Sequence, residues 1–270
     1  MKKVLVVGGS HAEIPIIQNL IDRGFYVITI GNNKDGLGHR IANRTEYIDF
    51  SDHIKVNEFF CAEKIDYVIP GCNDFAMLSA AYVAEMNNVG NFDSYEVTKQ
   101  LHQKDSFREL CAQYNLSAPQ ARSFKNTEDA LTFLEANISE NKSFIVKPID
   151  LTGGKGISKI IKGDDYAKII DKAINRSRVK TIVIEDFIDG QNHGFSCFIL
   201  NQKIVWYFWD DEYYYLDNYS VAGTSYPGSS TPETLQKLIK DLEVISSKLQ
   251  LKDGLLHVQY IDNNGTPFIV

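Results

Sequence analysis

Short apolar runs alternate with segments of helical period over residues 1–90, a pattern typical of a parallel sheet flanked by helices. The apolar runs predict four strands, at Lys3–Val7, Tyr26–Ile30, Tyr47–Phe50 and Tyr67–Pro70. Ile14, Ile17, Leu20 and Ile21 recur on one helical face. Asp74 is placed to cap a further helix. The N-terminal region is therefore predicted to be a Rossmann-like α/β domain.

The pattern changes after a helical region at 95–114. Helices are predicted at 127–138 and 164–177, and strands at 143–148, 157–162 and 181–185. A hairpin follows, with strands at Phe195–Leu200 and Lys203–Trp209. A long amphipathic helix begins at Pro232, and the last predicted strands are Leu255–Ile261 and Pro267–Val270. Because the final strand is followed by no turn or cap, we expect a truncated chain rather than a natural end at a strand edge.

Composition narrows the function classes. The 270 residues are 44% hydrophobic and 23% charged, which is typical of a globular protein. A formal net charge of −7 argues against a protein that binds nucleic acid mainly through its phosphates. The apolar run at Val4–Val7 is shorter than the ~7–15 residues of a signal peptide, and no apolar run approaches the ~20 residues that a membrane span needs, so we expect neither. The four cysteines form no CxxC pair, which favours a reducing, cytoplasmic location.

A glycine-rich turn, Gly8–Glu13, lies between the first strand and the first helix, where a dinucleotide-binding loop would be. Its glycines do not follow the G-x-G-x-x-G spacing, and Glu13 stands at the third glycine position. The segment is either a tight strand-to-helix turn or an anion site at a helix N-terminus. The spacing disfavours a dehydrogenase.

Four separated features together indicate binding of a nucleoside triphosphate. They are Lys104 on a helix, Lys147 at the end of a strand, the loop Leu151–Ser158, and the segment Val183–Gly190. A lysine at a strand end can hold its ammonium group rigidly on a phosphate, and closely spaced glycines let backbone N–H groups approach polyphosphate oxygens. The loop is not a Walker A loop, because it joins strand to strand and lacks the G-x-x-x-x-G-K-[ST] spacing. Taken singly, each feature has an ordinary structural explanation.

In this order and spacing the four features resemble the ATP-grasp superfamily. The pattern is closest to the branch with carbamoyl-phosphate synthetase, biotin carboxylase and the purine-pathway ligases. The resemblance covers the whole chain and implies an α/β fold: a Rossmann-like domain at 1–93 and an ATP-grasp domain at 94–270. The ATP-grasp domain would have two α+β lobes, a small lobe at about 117–187 and an incomplete C-terminal lobe at about 188–270.

The resemblance also implies roles for individual residues. Lys104 and Lys147 would contact the ATP phosphates, and Glu185 would lie beside the adenine, whose edge the main chains of Asp186 and Ile188 would bind. The flap over the phosphates would be formed by Gly153, Gly154, Lys155 and Gly156. Asn192 stands where the family commonly has a ribose-binding glutamate, and an amide can still bind a ribose hydroxyl.

The final predicted hairpin resembles the family's metal-bearing hairpin. Gln259 stands at the first ligand position, which is usually acidic, and its side-chain oxygen can bind Mg²⁺ or Mn²⁺. It can equally be a polar residue on the open face of a strand. The family's next two ligands would fall beyond Val270, so we expect the 270-residue form to be impaired in catalysis.

Other polar groups stay open to two interpretations. His257 is either a base or a structural histidine. The acids in Tyr207–Tyr215 either bind a cationic substrate or form a solvated hairpin rim, and the rim is favoured. The residues show no convincing Ser/His/Asp or Cys/His set.

The resemblance therefore implies an ATP- and Mg²⁺-dependent carboxylate–amine or carboxylate–thiol ligase acting through an acylphosphate. The alternative is a non-catalytic nucleotide-binding module, which the neutral Asn192 and Gln259 favour. The expected partners are small-molecule carboxylates and amines, not nucleic acid or membrane, and the assembly to test is a homodimer.

Overall fold

The computed structural model describes residues 1–215 and 219–270. Its backbone contacts group into two compact units, Met1–Lys99 and Gln100–Val270. The sequence-based boundary at 93/94 falls a few residues earlier, just before a helix that begins at Tyr95. Within the described residues, no helix is long and apolar enough to cross a membrane.

The first unit contains a four-stranded parallel sheet in the order β3-β2-β1-β4. The strands are Lys3–Val7 (β1), Tyr26–Ile30 (β2), Arg44–Glu46 (β3) and Tyr67–Pro70 (β4). The helices are Ile14–Asp22 (α1), His53–Ala62 (α2) and Asp74–Asn87 (α3), with a 3₁₀ turn at Leu37–Arg40. Residues 4–7 are buried, as expected for a strand covered on both faces.

Two predictions in this unit are wrong in detail. The third strand is Arg44–Glu46 rather than Tyr47–Phe50. The guanidinium of Arg44 holds Glu46 and Glu63, which secures a polar edge strand, and Phe50 packs into the core beyond it. The cap of α3 is Asn73, whose side chain accepts the N–H of Phe75 at 2.9 Å, and Asp74 is the first residue of the helix.

The second unit begins with α-helical segments and a four-stranded antiparallel sheet in the order β5-β8-β6-β7. The helices are Tyr95–His102 (α4), which spans the unit boundary, Lys104–Gln113 (α5), Thr127–Asn137 (α6) and Tyr166–Arg176 (α7). The strands are Ala121–Phe124 (β5), Phe144–Pro148 (β6), Ser158–Ile160 (β7) and Ile182–Asp186 (β8). The helical region predicted at 95–114 is thus divided, because Gln103 is extended and Lys104 starts a new helix.

A second, five-stranded sheet follows in the order β11-β10-β9-β12-β13. Its strands are Gln191–Leu200 (β9), Lys203–Tyr214 (β10), Val221–Ser225 (β11), Gly254–Asn263 (β12) and Thr266–Ile269 (β13). The helix Pro232–Leu249 (α8) buries the predicted apolar face. Both hairpin strands are longer than predicted, so Asn192 and the acids of residues 210–212 lie within the sheet.

Candidate functional site

A buried ion pair joins two strands of the four-stranded antiparallel sheet. Lys147 on β6 lies opposite Val183, which puts its side chain on the same face as Glu185, two residues along β8. The Lys147 Nζ atom donates to Glu185 Oε2 at 2.8 Å. The side chains of Lys147 and Glu185 are only 10% and 0% exposed. The ion pair is therefore almost completely withdrawn from solvent.

Arg108 on α5 makes this pair a three-membered cluster. Its Nε donates to Glu185 Oε1 at 2.9 Å and its Nη2 to Glu185 Oε2 at 3.3 Å. A third donor, Nη1, reaches the backbone oxygen of Ile269 on β13 at 3.0 Å. The sequence interpretation assigned no role to Arg108. Its one signal was a position four residues after Lys104, one helical turn away.

The cluster carries two cations and one anion. Burial opposes ionisation of Glu185, but Lys147 and Arg108 outweigh it and lower the pKa of Glu185 to about 2. Burial, with Arg108 nearby, lowers the pKa of Lys147 against the attraction of Glu185. The cluster therefore has an excess of positive charge, which a bound phosphate group would neutralise.

The predicted glycine loop joins β6 to β7, as expected. Gly153, Gly154 and Gly156 have φ values of +63°, +73° and +78°, a region that favours glycine. Among the described residues, no heavy atom lies within 4 Å of a Cβ built on Gly153, whereas one on Gly154 would lie 2.5 Å from the Tyr219 carbonyl carbon. The loop thus combines one open position with one tightly packed position.

Lys104 lies at the root of this loop. Its Nζ donates to the backbone oxygen of Leu151 at 2.6 Å. Ser220 Oγ donates to the backbone oxygen of Gly153 at 3.0 Å, and Lys155 is exposed at the loop tip. Lys104 is therefore joined to the loop, and Lys147 to Glu185.

The residues predicted to meet adenine and ribose lie just after Glu185. The backbone N–H of Asp186 donates to the Gln120 oxygen at 2.9 Å. Of the two backbone groups of Asp186, the carbonyl is therefore the one that could bond to adenine. Its carboxylate pairs with Lys142 at 2.9 Å. Ile188 and Asn192 are both partly exposed.

Gln259 lies on one face of the five-stranded sheet. Its Nε2 donates to Glu212 Oε2 at 2.6 Å, and Tyr214 OH donates to the same oxygen at 2.7 Å. Glu212 is only 9% exposed, and Asp211 is 8% exposed. The solvated rim favoured from sequence is therefore wrong for these two acids, because β10 runs through them as part of the sheet.

Gly194 makes room beside Gln259. Both Gln259 on β12 and Asp210 on β10 pair with Gly194 in the register of β9. A Cβ on Gly194 would lie 2.4 Å from Asp210 Oδ1. His257 lies farther along the same face, and its Nδ1 atom is 2.9 Å from Ser196 Oγ.

The opposite face of the sheet carries a Ser/His/Asp set that was not found from sequence. Asp211 Oδ1 lies 2.8 Å from His193 Nδ1, and His193 Nε2 lies 3.2 Å from Ser230 Oγ. The three residues are 8%, 1% and 8% exposed, and Tyr260 OH donates to Ser230 Oγ at 2.8 Å. Because the serine is buried and already engaged, the set is a structural network rather than a nucleophile.

The N-terminal glycine turn has a different arrangement. Glu13 is 3% exposed, and its carboxylate accepts the N–H of Ser10 at 2.6 Å and that of Cys72 at 2.9 Å. These two amides are among the donors that a bound phosphate would use. Glu13 thus occupies the anion position of this turn with a side chain of the chain itself.

Comparison with known proteins shows the family to which the chain belongs. The family model of the phosphoribosylglycinamide synthetase ATP-grasp (A) domain matches residues 102–242, just over half of the chain. A formate-dependent phosphoribosylglycinamide formyltransferase from Janthinobacterium sp. (strain Marseille) is 28% identical over 193 residues, which are 69% of this chain and 46% of that protein. A phosphoribosylamine–glycine ligase from Pyrococcus furiosus is 27% identical over 210 residues, 76% of this chain and 47% of the relative.

Solved structures share the fold. An N5-carboxyaminoimidazole ribonucleotide synthetase in complex with ADP has a TM-score of 0.79 at 16% identity, over 100% of this chain and 69% of that one. A phosphoribosylglycinamide synthetase from Anaerococcus prevotii has a TM-score of 0.74 at 18% identity, over 100% of this chain and 67% of that one. The chain spans about half the length of the curated relatives it matches. On these matches, the chain belongs to the phosphoribosylglycinamide synthetase ATP-grasp (A) domain family.

Proposed function

We propose that this protein is an ATP-dependent ligase that joins a carboxylate to an amine or a thiol through an acylphosphate. The observation that carries the proposal is the buried Lys147–Glu185–Arg108 cluster, with its excess positive charge, at the end of the strand that leads into the glycine loop. The names of the relatives, which include a phosphoribosylamine–glycine ligase, support the same reaction class.

The proposed nucleotide site uses residues of the second unit. Lys104 and Lys147 bind the phosphates, and the N–H groups of Gly153, Gly154 and Gly156 close over them, with the Lys155 charge nearby. The Asp186 carbonyl and the Ile188 N–H bind the adenine edge, while Glu185 positions Lys147 and Asn192 binds the ribose. In phosphoryl transfer such groups act by positioning and by stabilising charge, so no side-chain nucleophile is required.

The donor set beside the sheet fits a magnesium ion held largely by nucleotide phosphates. Mg²⁺ commonly takes one or two carboxylates together with phosphate oxygens and water. Gln259 and the neighbouring carboxylate of Glu212 would supply one neutral and one charged oxygen donor, and Mn²⁺ suits the same donors. When bound, the ion would offset negative charge on the β- and γ-phosphates.

A non-catalytic nucleotide-binding module is the second candidate. Two observations favour it: Asn192 and Gln259 are neutral where the family commonly has acids, and the Gln259 amide already bonds to Glu212. This module would bind ATP and turn nothing over. In both cases the proposed partners are small molecules in the cytoplasm, and the proposed assembly is a homodimer.

The deciding experiment measures ADP release by the full-length protein against panels of carboxylates and amines. We expect turnover only when a carboxylate and an acceptor are both present, and loss of turnover in Lys147→Met. Lys172→Met, which changes an exposed lysine of α7 in the same lobe, is the matched control. ATP binding without turnover for any pair would favour the module. No ATP binding at all would contradict both candidates.

A further inference from the structure

We propose that Arg108 is a positioning residue of the nucleotide site: it shares the Glu185 carboxylate so that Lys147 is held in place without being fully neutralised. This inference rests on the proposed function, because it concerns how the phosphate-binding charge is set. Arg108 would act through Glu185 and Lys147 without touching the nucleotide itself.

The first support is geometric. The guanidinium group approaches both carboxylate oxygens of Glu185, at 2.9 and 3.3 Å, and Lys147 Nζ shares the second oxygen at 2.8 Å. A planar fork of this kind fixes the orientation of a carboxylate more tightly than a flexible ammonium group does. Glu185, fully buried and held on both oxygens, has little freedom to turn, and Lys147 Nζ is therefore fixed as well.

The second support is the third donor of Arg108. Its Nη1 bonds to the Ile269 oxygen on β13, at 3.0 Å, which belongs to the five-stranded sheet. One side chain on α5 thus holds a strand of each lobe. With an exposed fraction of 6%, Arg108 can keep these contacts without competition from water.

The third support is the charge balance. A buried Lys–Glu pair alone would sum to zero, and its attraction for a phosphate would be weak. With Arg108 present the cluster has a net charge of +1, and charges interact strongly where water is excluded. Because the Glu185 carboxylate is shared between Arg108 and Lys147, it does not fully neutralise Lys147. Lys147 therefore still attracts an incoming phosphate.

The test compares ligands with and without phosphates. ADP and adenosine are titrated into wild-type protein, Arg108→Met and Arg108→Lys, with NMR or calorimetric detection. We expect Arg108→Met to weaken ADP binding by about 10-fold or more, the scale of one charge-assisted contact. Adenosine binding should stay within about twofold of wild type, because the base is read by other groups. Arg122→Met, which removes an exposed arginine of β5, is the control and should change neither affinity.

The outcomes separate the possible failures. If ADP and adenosine weaken equally in Arg108→Met, or if ADP binds as to wild type, the positioning role is wrong. If Arg108→Met does not fold, Arg108→Lys decides. Arg108→Lys keeps the positive charge but loses the planar guanidinium that contacts both oxygens of Glu185. We therefore expect ADP to bind more weakly than to wild type, by up to about 10-fold, and adenosine to bind as to wild type. Equal weakening of both ligands in Arg108→Lys, or wild-type ADP binding, would overturn the inference. Absence of ADP binding to wild-type protein would instead contradict the proposed function.

Discussion

The two glycine-rich loops of the chain each have a buried glutamate beside them, and the two glutamates do opposite things. Glu13 accepts two backbone N–H groups, from Ser10 and Cys72, and so fills the anion position of its own turn. Glu185 is held by two cations, Lys147 and Arg108, so positive charge is in excess where β6 leads into the second loop. Both carboxylates are 3% exposed or less.

Glycine content alone therefore does not identify a phosphate site. What matters is which donors remain after the chain has satisfied its own groups. The first turn has the location of a dinucleotide loop, yet its amide donors are used internally. The second loop lacks a familiar phosphate-binding spacing, yet Gly153 is open on its Cβ side among the described residues.

The largest expected effect comes from neutralising the second glutamate. Glu185→Gln leaves Lys147 and Arg108 buried together without an anion, so we expect a loss of about 3–5 kcal/mol in the free energy of unfolding. Urea denaturation measures it. A high concentration of ADP should restore part of the loss, because phosphates replace the missing charge. A loss below about 1 kcal/mol would contradict the cluster's role.

The next effect concerns the first glutamate. Glu13→Ala leaves the Ser10 and Cys72 amides without their acceptor; because both residues are exposed and water can reach the amides, we expect a loss of about 0.5–1.5 kcal/mol for each hydrogen bond. The vacated position should then bind an anion, so phosphate should raise the melting temperature of the variant more than that of wild type. Asp22→Ala, at the end of α1, is the control. Equal phosphate responses in variant and wild type would show that Glu13 does not fill an anion position.

A smaller effect distinguishes two glycines within the second loop. Gly154→Ala puts a methyl group 2.5 Å from the Tyr219 carbonyl carbon, whereas Gly153→Ala meets no described atom within 4 Å. Both variants carry the strain of a positive φ, about 1 kcal/mol, so their difference reports the packing alone. We expect Gly154→Ala to be the less stable and to weaken ADP binding more. Equal behaviour would mean that the Tyr219 contact is absent in solution.

The smallest effect is a pH dependence. The pKa of Glu185 is lowered to about 2, so its contribution to stability is lost as the pH falls through about 2. That contribution is complete above the ordinary glutamate value of about 4.3. Lys147→Met removes one of the two cations, so the lowering should be smaller. Urea unfolding between pH 5.5 and 2.5 should therefore show a shallower acid-dependent loss in Lys147→Met than in wild type, and identical slopes would contradict the coupling.

Much of the fold follows from local patterns. Apolar runs located β1, β2 and β4, the 3.6-residue period located α8, and the glycines located the loop between β6 and β7. The prediction of the third strand failed because Arg44–Glu46 is polar. Its pairing with β2 and the ion pair between Arg44 and Glu63 stabilise it, and both involve residues distant in the sequence.

The site was predictable only in part. Lys147 stood out because it ends a strand just before the glycine loop, and Lys104 and Glu185 because the order and spacing of the features resemble the ATP-grasp superfamily. Arg108 did not, because its partners are 77 and 161 positions away along the chain. The contact of Glu212 with Gln259 depends likewise on strand register, since β10 and β12 meet only through β9 between them. Long-range side-chain partners require the tertiary structure.

The decisive measurement is amide hydrogen exchange with and without MgADP, because one experiment reports the exchange rates of the amides in both glycine-rich loops. We predict slower exchange at residues 152–158 and around Ile188 when the nucleotide binds, and unchanged exchange at Ser10 and Cys72, whose N–H groups donate to Glu13. Nucleotide-dependent protection of Ser10 and Cys72, with no change at residues 152–158, would contradict this prediction.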